Sequence, residues 1–208
     1  MFELLFSHPR FHVIHKTAPM SFHSEDGPGL FEAIKAELAE PLWPVHRLDR
    51  VTTGLLLVAR DAEACAELCA LFAEHRVDKC YLALSDRKPG KKQGWVKGDM
   101  AKGRRGAWKL LRSTTNPAVT RFDSQSLGPG LRLYRLWPQT GRTHQLRVAM
   151  KSLGAPILGD DLYGGSAHDR VCLHAHALRF RAFGEDFAFQ AAADFVPAEA
   201  LPAPFPAP

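Results

Sequence analysis

His46-Arg47-Leu48-Asp49-Arg50-Val51-Thr52-Thr53-Gly54-Leu55-Leu56-Leu57-Val58 sets an aspartate between two arginines, just ahead of a continuous apolar run. Such a run, bounded by polar residues, reads as a buried strand. A carboxylate held beside a buried strand costs free energy unless a cation or hydrogen bond compensates it. Asp49 therefore marks either a structural ion pair at a strand end or a site. The stretch alone leaves both readings open.

Upstream, Phe11 to Lys16 reads as a strand entering a loop. A short helix is expected from Gly29 to Leu38, with Leu30, Phe31, Ile34 and Leu38 on one face. Asp26 or Gly27 would open it, and Pro28 suits its first turn. Downstream, a second helix is expected from Asp61 to His75, with Asp61 as N-cap and Cys65, Leu68, Cys69 and Phe72 as its apolar face. Lys79 to Leu84 reads as a further strand. Thr120–Leu127 and Leu131–Trp137 look like paired strands joined by the turn Gly128-Pro129-Gly130. A third helix starts near Thr143, with the stripe Leu146, Ala149, Met150 and Leu153, and Gly154 and Pro156 to stop it.

The chain has 208 residues, 46% of them hydrophobic, which suits one sizeable core. We expect a single domain over residues 1–193 and an Ala/Pro-rich tail, extended or frayed, over 194–208. A net charge of +5 fits a polyanionic partner without proving one. Leu4-Leu5-Phe6 is too short for a signal sequence and no stretch is long enough for a membrane span, so a cytoplasmic protein, monomeric by default, is expected. Cys65, Cys69, Cys80 and Cys172 form no C-x-x-C pair and read as small buried residues rather than a zinc site. His174 and His176 lie on a strand pattern with no carboxylate or cysteine cluster to support a metal site, so no metal is expected.

Residues 87–112 hold ten Lys or Arg and one acidic residue, Asp99. Glycines punctuate this stretch and favour turns that let a backbone follow phosphates, so it reads as a nucleic-acid surface or a solvated loop. Gln139 to Arg147 is a polar turn feeding a helix N-terminus, a setting that binds phosphate well. Tyr81, in its strand, is either a core aromatic or part of a site.

The motifs in order decide among these readings. H-R-L-D-R-x-T-x-G-L-L-L (from His46), K-x-Y-x-A-L (from Lys79), T-G-R-T-H-Q-L-R (from Thr140), I-L-G-D-x-x-Y-G (from Ile157) and L-H-A-x-x-L (from Leu173) together resemble the RluA-type RNA pseudouridine synthases. The resemblance runs from about Lys16 to Phe180. Family members commonly have Ser where this chain has Thr53. They carry a Lys-Pro pair where Lys16 is here followed by Thr17-Ala18-Pro19. Many also carry an N-terminal S4 domain, for which this sequence leaves no room.

The resemblance implies an α+β fold: a mostly antiparallel, twisted central sheet flanked by helices and loops around a central cleft. It implies isomerisation of uridine in RNA to pseudouridine, with no cofactor. It makes Asp49 the essential carboxylate, either attacking C1′ or removing the C2′ proton. Arg142 would be its salt-bridge partner, and Tyr81 would stack on the flipped uracil. Arg47 would hold the flipped nucleotide's place or a phosphate, and Leu173 would form an apolar wall. Further RNA contacts are expected from His46, Thr53, His144, Gln145 and Arg147, and from Lys91, Lys92, Lys102, Arg104 and Arg105. The partner is RNA, ribosomal or transfer, with no DNA and no membrane. Two other readings compete: a non-catalytic RNA-binding or ribosome-assembly factor on the same scaffold, and a glycosidase, for which no second paired carboxylate is evident.

Overall fold

The computed structural model describes residues 1–17, 19–23, 28–201 and 203–205. In chain order, the elements are β1 (Phe2–Ser7), β2 (Phe11–Lys16), α1 (Leu30–Leu38), β3 (Trp43–Pro44), β4 (Thr53–Ala59), α2 (Ala62–Ala73) and β5 (Asp78–Ser85). There follow β6 (Gln93–Gly98), β7 (Met100–Lys102), β8 (Trp108–Leu110), β9 (Ala118–Gly128), β10 (Leu131–Pro138), α3 (Gln145–Ser152), β11 (Leu173–Ala182) and β12 (Glu185–Gln190). The chain divides into two compact units, Met1–Asp78 with Ala175–Ala191, and Lys79–His174 with Ala192–Pro208.

In the first unit the strand order is β1-β2-β4-β11, with β3 on β4 and β12 on β11. The apolar run became β4 as expected, and every residue of it is buried. It pairs antiparallel with β2 from Phe11↔Ala59 to Lys16↔Gly54. Leu55, Leu57, Phe11, Val13 and Phe180 form the core with Leu68 and Leu71 of α2. Each fully buried residue of this kind contributes about 1.5–3 kcal/mol. Gly54 is required for this packing. Its φ is +107°, and a Cβ there would lie 2.3 Å from the Ala175 carbonyl oxygen.

One local expectation needs correction, and one element was not foreseen. Helix α1 is capped by Gly29, so Pro28 precedes it rather than sitting in its first turn; Asp26 and Gly27 lie outside the described residues. Helix α2 is capped as expected, Asp61 Oδ1 accepting the Ala64 N–H at 2.8 Å. It buries Ala64, Leu68 and Leu71, and the half-buried Cys65, Cys69 and Phe72 of the expected face pack against the same core. Phe72 also stacks on His46 with ring centroids 4.3 Å apart. Strand β1 was not anticipated: most of its side chains are exposed, so no alternation marks it, and its backbone pairing with β2 defines it.

In the second unit the order is β5-β10-β9-β6, all antiparallel, with β7 and β8 as a separate hairpin. The paired strands around Gly128-Pro129-Gly130 are β9 and β10. Antiparallel pairs flanked by helices match the α+β class expected. Of the two states expected for the tail, extended or frayed, its described residues show an anchored segment. Its carbonyls at Ala200, Ala203 and Pro204 accept hydrogen bonds from Gln125, Arg135 and Trp137 side chains at 2.9, 2.6 and 2.7 Å. Bonded backbone of this kind is docked, not frayed. Among the described residues no helix is long and apolar enough to cross a membrane.

Candidate active site

In the first unit, Asp49 sits in the turn that feeds β4. The turn closes with the Thr52 N–H donating to the Asp49 carbonyl at 3.0 Å. Leu48 is buried, whereas Arg47 and Arg50 are exposed and Asp49 is half-buried. Alternation of this kind anchors the turn through leucine and turns its charged residues outward.

The turn is held by Lys16, the last residue of β2 and only 1% exposed. Its ammonium donates to the carbonyls of Asp49, Arg50 and Thr52 at 2.9, 2.8 and 2.9 Å. An ammonium has three donors and no acceptor, so three converging carbonyls use it fully. The Arg50 carbonyl also accepts the Met20 N–H at 3.0 Å. Sequence reasoning placed Lys16 at a strand end but gave it no role. The available signal was a lysine at the end of an otherwise buried strand, which needs partners to stay there.

His46, expected as an RNA contact, is turned inward. Its Nε2 accepts the Leu57 N–H at 3.0 Å, and its ring lies on Phe72. It joins the turn to β4 and α2. Thr53 is 1% exposed. Thr53 is thus buried away from any RNA surface, while His46, half-buried, braces the turn.

In the second unit, Tyr81 is a half-buried residue of β5, opposite Leu136 of β10. Burial lowers the pKa of Lys79, two residues earlier, to about 8. Arg142 is exposed at the turn before α3 and donates to Asn116 Oδ1. Gln145 organises this turn. Its Oε1 accepts from the Thr140 hydroxyl at 2.7 Å and the Arg142 N–H at 2.9 Å. Its Nε2 donates to the Val119 carbonyl at 3.1 Å and to Thr120 Oγ1 at 3.0 Å. All four bonding positions of the amide are engaged, so the expected RNA contact by Gln145 is corrected to a role in shaping the Arg142 turn.

Arg147 is corrected in the same way. It is 5% exposed and forms a two-point pair with the fully buried Asp160 at 2.7 and 2.8 Å. Its guanidinium also lies 4.9 Å from the Tyr163 ring centre. The helix periodicity had put Arg147 off the apolar face, but a neighbouring loop covers that flank. Gly159, with φ +82°, shapes this loop; a Cβ there would lie 2.0 Å from the Arg170 carbonyl oxygen.

His144 adopts a left-handed conformation at the start of α3, φ 56°, and its Nδ1 lies 2.8 Å from the Tyr163 hydroxyl. That hydroxyl also accepts the Trp108 N–H at 2.9 Å. Leu173 is buried at the start of β11. Lys91, Lys92, Lys102, Arg104 and Arg105 are all exposed, the last three on and around the β7–β8 hairpin. The structure thus gathers Arg142, His144, Gln145 and Arg147 around one turn of the second unit. Asp49 belongs to the first unit.

Comparison with known proteins gives one consistent result. Residues 10–152 match the family described as RNA pseudouridylate synthase. An uncharacterised RNA pseudouridine synthase of Haemophilus influenzae is 54% identical over 182 residues, which cover 86% of this chain and 81% of that protein. Ribosomal large subunit pseudouridine synthase C of Haemophilus ducreyi is 34% identical over 81% of this chain and 58% of its own. Among solved structures, human RNA pseudouridylate synthase domain containing 1 superposes with a TM-score of 0.80 at 25% identity, covering 95% of this chain and 86% of that one.

Proposed function

Because the chain belongs to the RNA pseudouridylate synthase family, we propose that Asp49 is the carboxylate on which its isomerisation of RNA uridine turns. In that reaction the N1–C1′ bond breaks, the uracil turns, a C5–C1′ bond forms, C5 loses its proton and N1 gains one. Atoms are conserved, and no electrons pass to a second molecule. A carboxylate serves either route, by attacking C1′ or by removing the C2′ proton. The observation that carries the assignment is the Lys16 tripod. Three charge-assisted bonds fix the backbone at Asp49 and just after it, and a reacting group needs that fixity.

Tyr81 stacks on the extruded uracil in this reading, and Arg142 pairs with Asp49. Arg47, exposed two residues away, takes the place of the departed base or holds a phosphate. Leu173 supplies apolar wall, and His144 a polar contact. The exposed cations at Lys91, Lys92, Lys102, Arg104 and Arg105 hold the RNA backbone. Extruding a base costs a few kcal/mol, least in loops and single strands, so the substrate is an unpaired uridine in structured RNA. The name of the Haemophilus ducreyi relative favours ribosomal RNA of the large subunit as that substrate.

Asp49→Asn is nearly isosteric and removes the charge. We expect it to abolish pseudouridine formation while leaving folding and RNA binding intact; undiminished turnover refutes the assignment. Pseudouridine mapping across all RNA of cells with and without the protein identifies the target. Loss of a signal in transfer RNA alone refutes the ribosomal assignment.

A further inference from the structure

We propose that a cavity beside the Arg142 turn is a second nucleotide subsite, which stacks a base of the RNA other than the uridine being isomerised. The inference rests on the reading of this chain as an enzyme acting on RNA. The cavity measures about 450 Å³ and lies wholly within the second unit. Ligand sites commonly span about 300–1,000 Å³, so its size suits one nucleotide. Tyr81, of the same unit, is not among its described lining residues, so in this reading the target uracil stacks elsewhere.

Its walls have the chemistry that a base requires. Trp108 and Met100 supply apolar surface, while Asn116 and Arg142 supply polar groups. Trp108 is fixed by its main chain, through pairing with Lys102 in the hairpin and through its N–H to the Tyr163 hydroxyl at 2.9 Å. Its side chain is half-buried and takes no part in the buried core. An indole carried on a fixed main chain, with a cation lining the same cavity, is a usual platform for an unpaired base.

The one acid among the described lining residues, Asp99, is engaged by the loop that follows β8. Its carboxylate accepts the Thr115 and Asn116 N–H groups at 3.1 and 2.8 Å. The Ser113 hydroxyl and these N–H groups hold it ionised, its pKa below the usual carboxylate value. Asp99 thus fixes the loop that presents Asn116 to Arg142. Around it Lys102, Arg104, Arg105, Lys109 and Arg112 are exposed. A stacking wall inside a cationic rim suits a segment of polyanion better than a free metabolite. Arg142 is both a wall of this cavity and the proposed partner of Asp49.

The test measures affinity for a labelled, unstructured twelve-nucleotide RNA of mixed sequence by anisotropy, over a series of salt concentrations. Base–aromatic stacking is worth about 1–3 kcal/mol, and 1.4 kcal/mol is tenfold. Trp108→Ala should therefore weaken binding about 5- to 150-fold. Its salt slope should match that of the wild type, because an indole neutralises no phosphate. Trp108→Phe should restore most of the affinity. Gly141 also lines the cavity, and a Cβ there meets no atom within 4 Å, so Gly141→Leu should fold and weaken binding by obstructing the site. If Trp108→Ala fails to fold, Gly141→Leu against Trp108→Phe decides the matter. Unchanged affinity in folded Trp108→Ala or Gly141→Leu, or a loss that appears as a changed salt slope, overturns the subsite. A protein that binds through Trp108 yet makes no pseudouridine overturns the enzymatic reading instead.

Discussion

Lys16→Met tests how the reactive turn is held. Methionine keeps much of the buried stem and removes the ammonium that bonds the carbonyls of Asp49, Arg50 and Thr52. Hydrogen bonds to a charged group contribute about 1.5–3 kcal/mol each, so three set an additive ceiling of about 4.5–9 kcal/mol. Two effects reduce it. Arg50 is exposed and Asp49 half-buried, so their carbonyls can find water, whereas Thr52 is buried. Methionine is also spared the cost of burying an ammonium. The expected net loss is about 2–4 kcal/mol. At about 2–4 °C per kcal/mol for a chain of this size, the Tm should fall by about 4–16 °C. Activity should fall further than stability explains, because misplacing a reacting group by about 1 Å costs on the order of 100-fold. The assay is thermal unfolding by circular dichroism, together with single-turnover pseudouridine formation well below the variant's Tm. Lys16→Arg should also fail, since a planar fork cannot meet three carbonyls arranged for a tripod. A Lys16→Met protein with unchanged Tm and full turnover would refute the argument that this lysine holds Asp49 in place.

Asp160→Ala leaves the Arg147 guanidinium buried without its carboxylate and should cost about 3–5 kcal/mol in urea unfolding. The salt slope of RNA binding should stay unchanged, and a reduced slope would return Arg147 to the RNA surface. Reversing Lys91, Lys92, Arg104 and Arg105 to Glu should do the opposite, flattening the salt dependence of RNA affinity with little change in Tm. An unaltered slope removes the hairpin region from the interface. His176 donates from Nδ1 to the Ala191 carbonyl at 2.7 Å, and burial lowers its pKa. The unfolded chain therefore takes up a proton near pH 6.5 that the folded chain resists. Its stability contribution is complete above that pH and declines as pH falls toward the folded pKa, by at most about 1.4 kcal/mol per pH unit. His176→Asn should flatten urea midpoints measured between pH 5 and 7.5; a curve parallel to the wild type contradicts this.

The elements legible in the sequence are those whose own residues decide them. Strand β4 is an uninterrupted apolar run, the β9–β10 hairpin has its Gly-Pro-Gly turn, and α2 has its aspartate cap. What a partner decides was not legible. Strand β1 exists through the backbone of β2, and α2 also buries Ala64 and Leu71, which the expected face left out. The same division runs through the candidate site. Motif order singles out Asp49, Tyr81 and Arg142, but the resemblance, and for Gln145 and Arg147 a polar helix start suited to phosphate, also make RNA contacts of neighbouring polar residues. His46, Gln145 and Arg147 instead spend their hydrogen bonds inside the protein. A residue's type limits how many bonds it can make, and only the fold says where they are made. Lys16 shows this most directly. As a letter it is a cation beside a loop, while in the fold its three donors are consumed by the turn that carries Asp49. A lysine so engaged has no donor to offer RNA, so its replacement should act on turnover and stability and leave the salt dependence of binding to the exposed cations of the second unit.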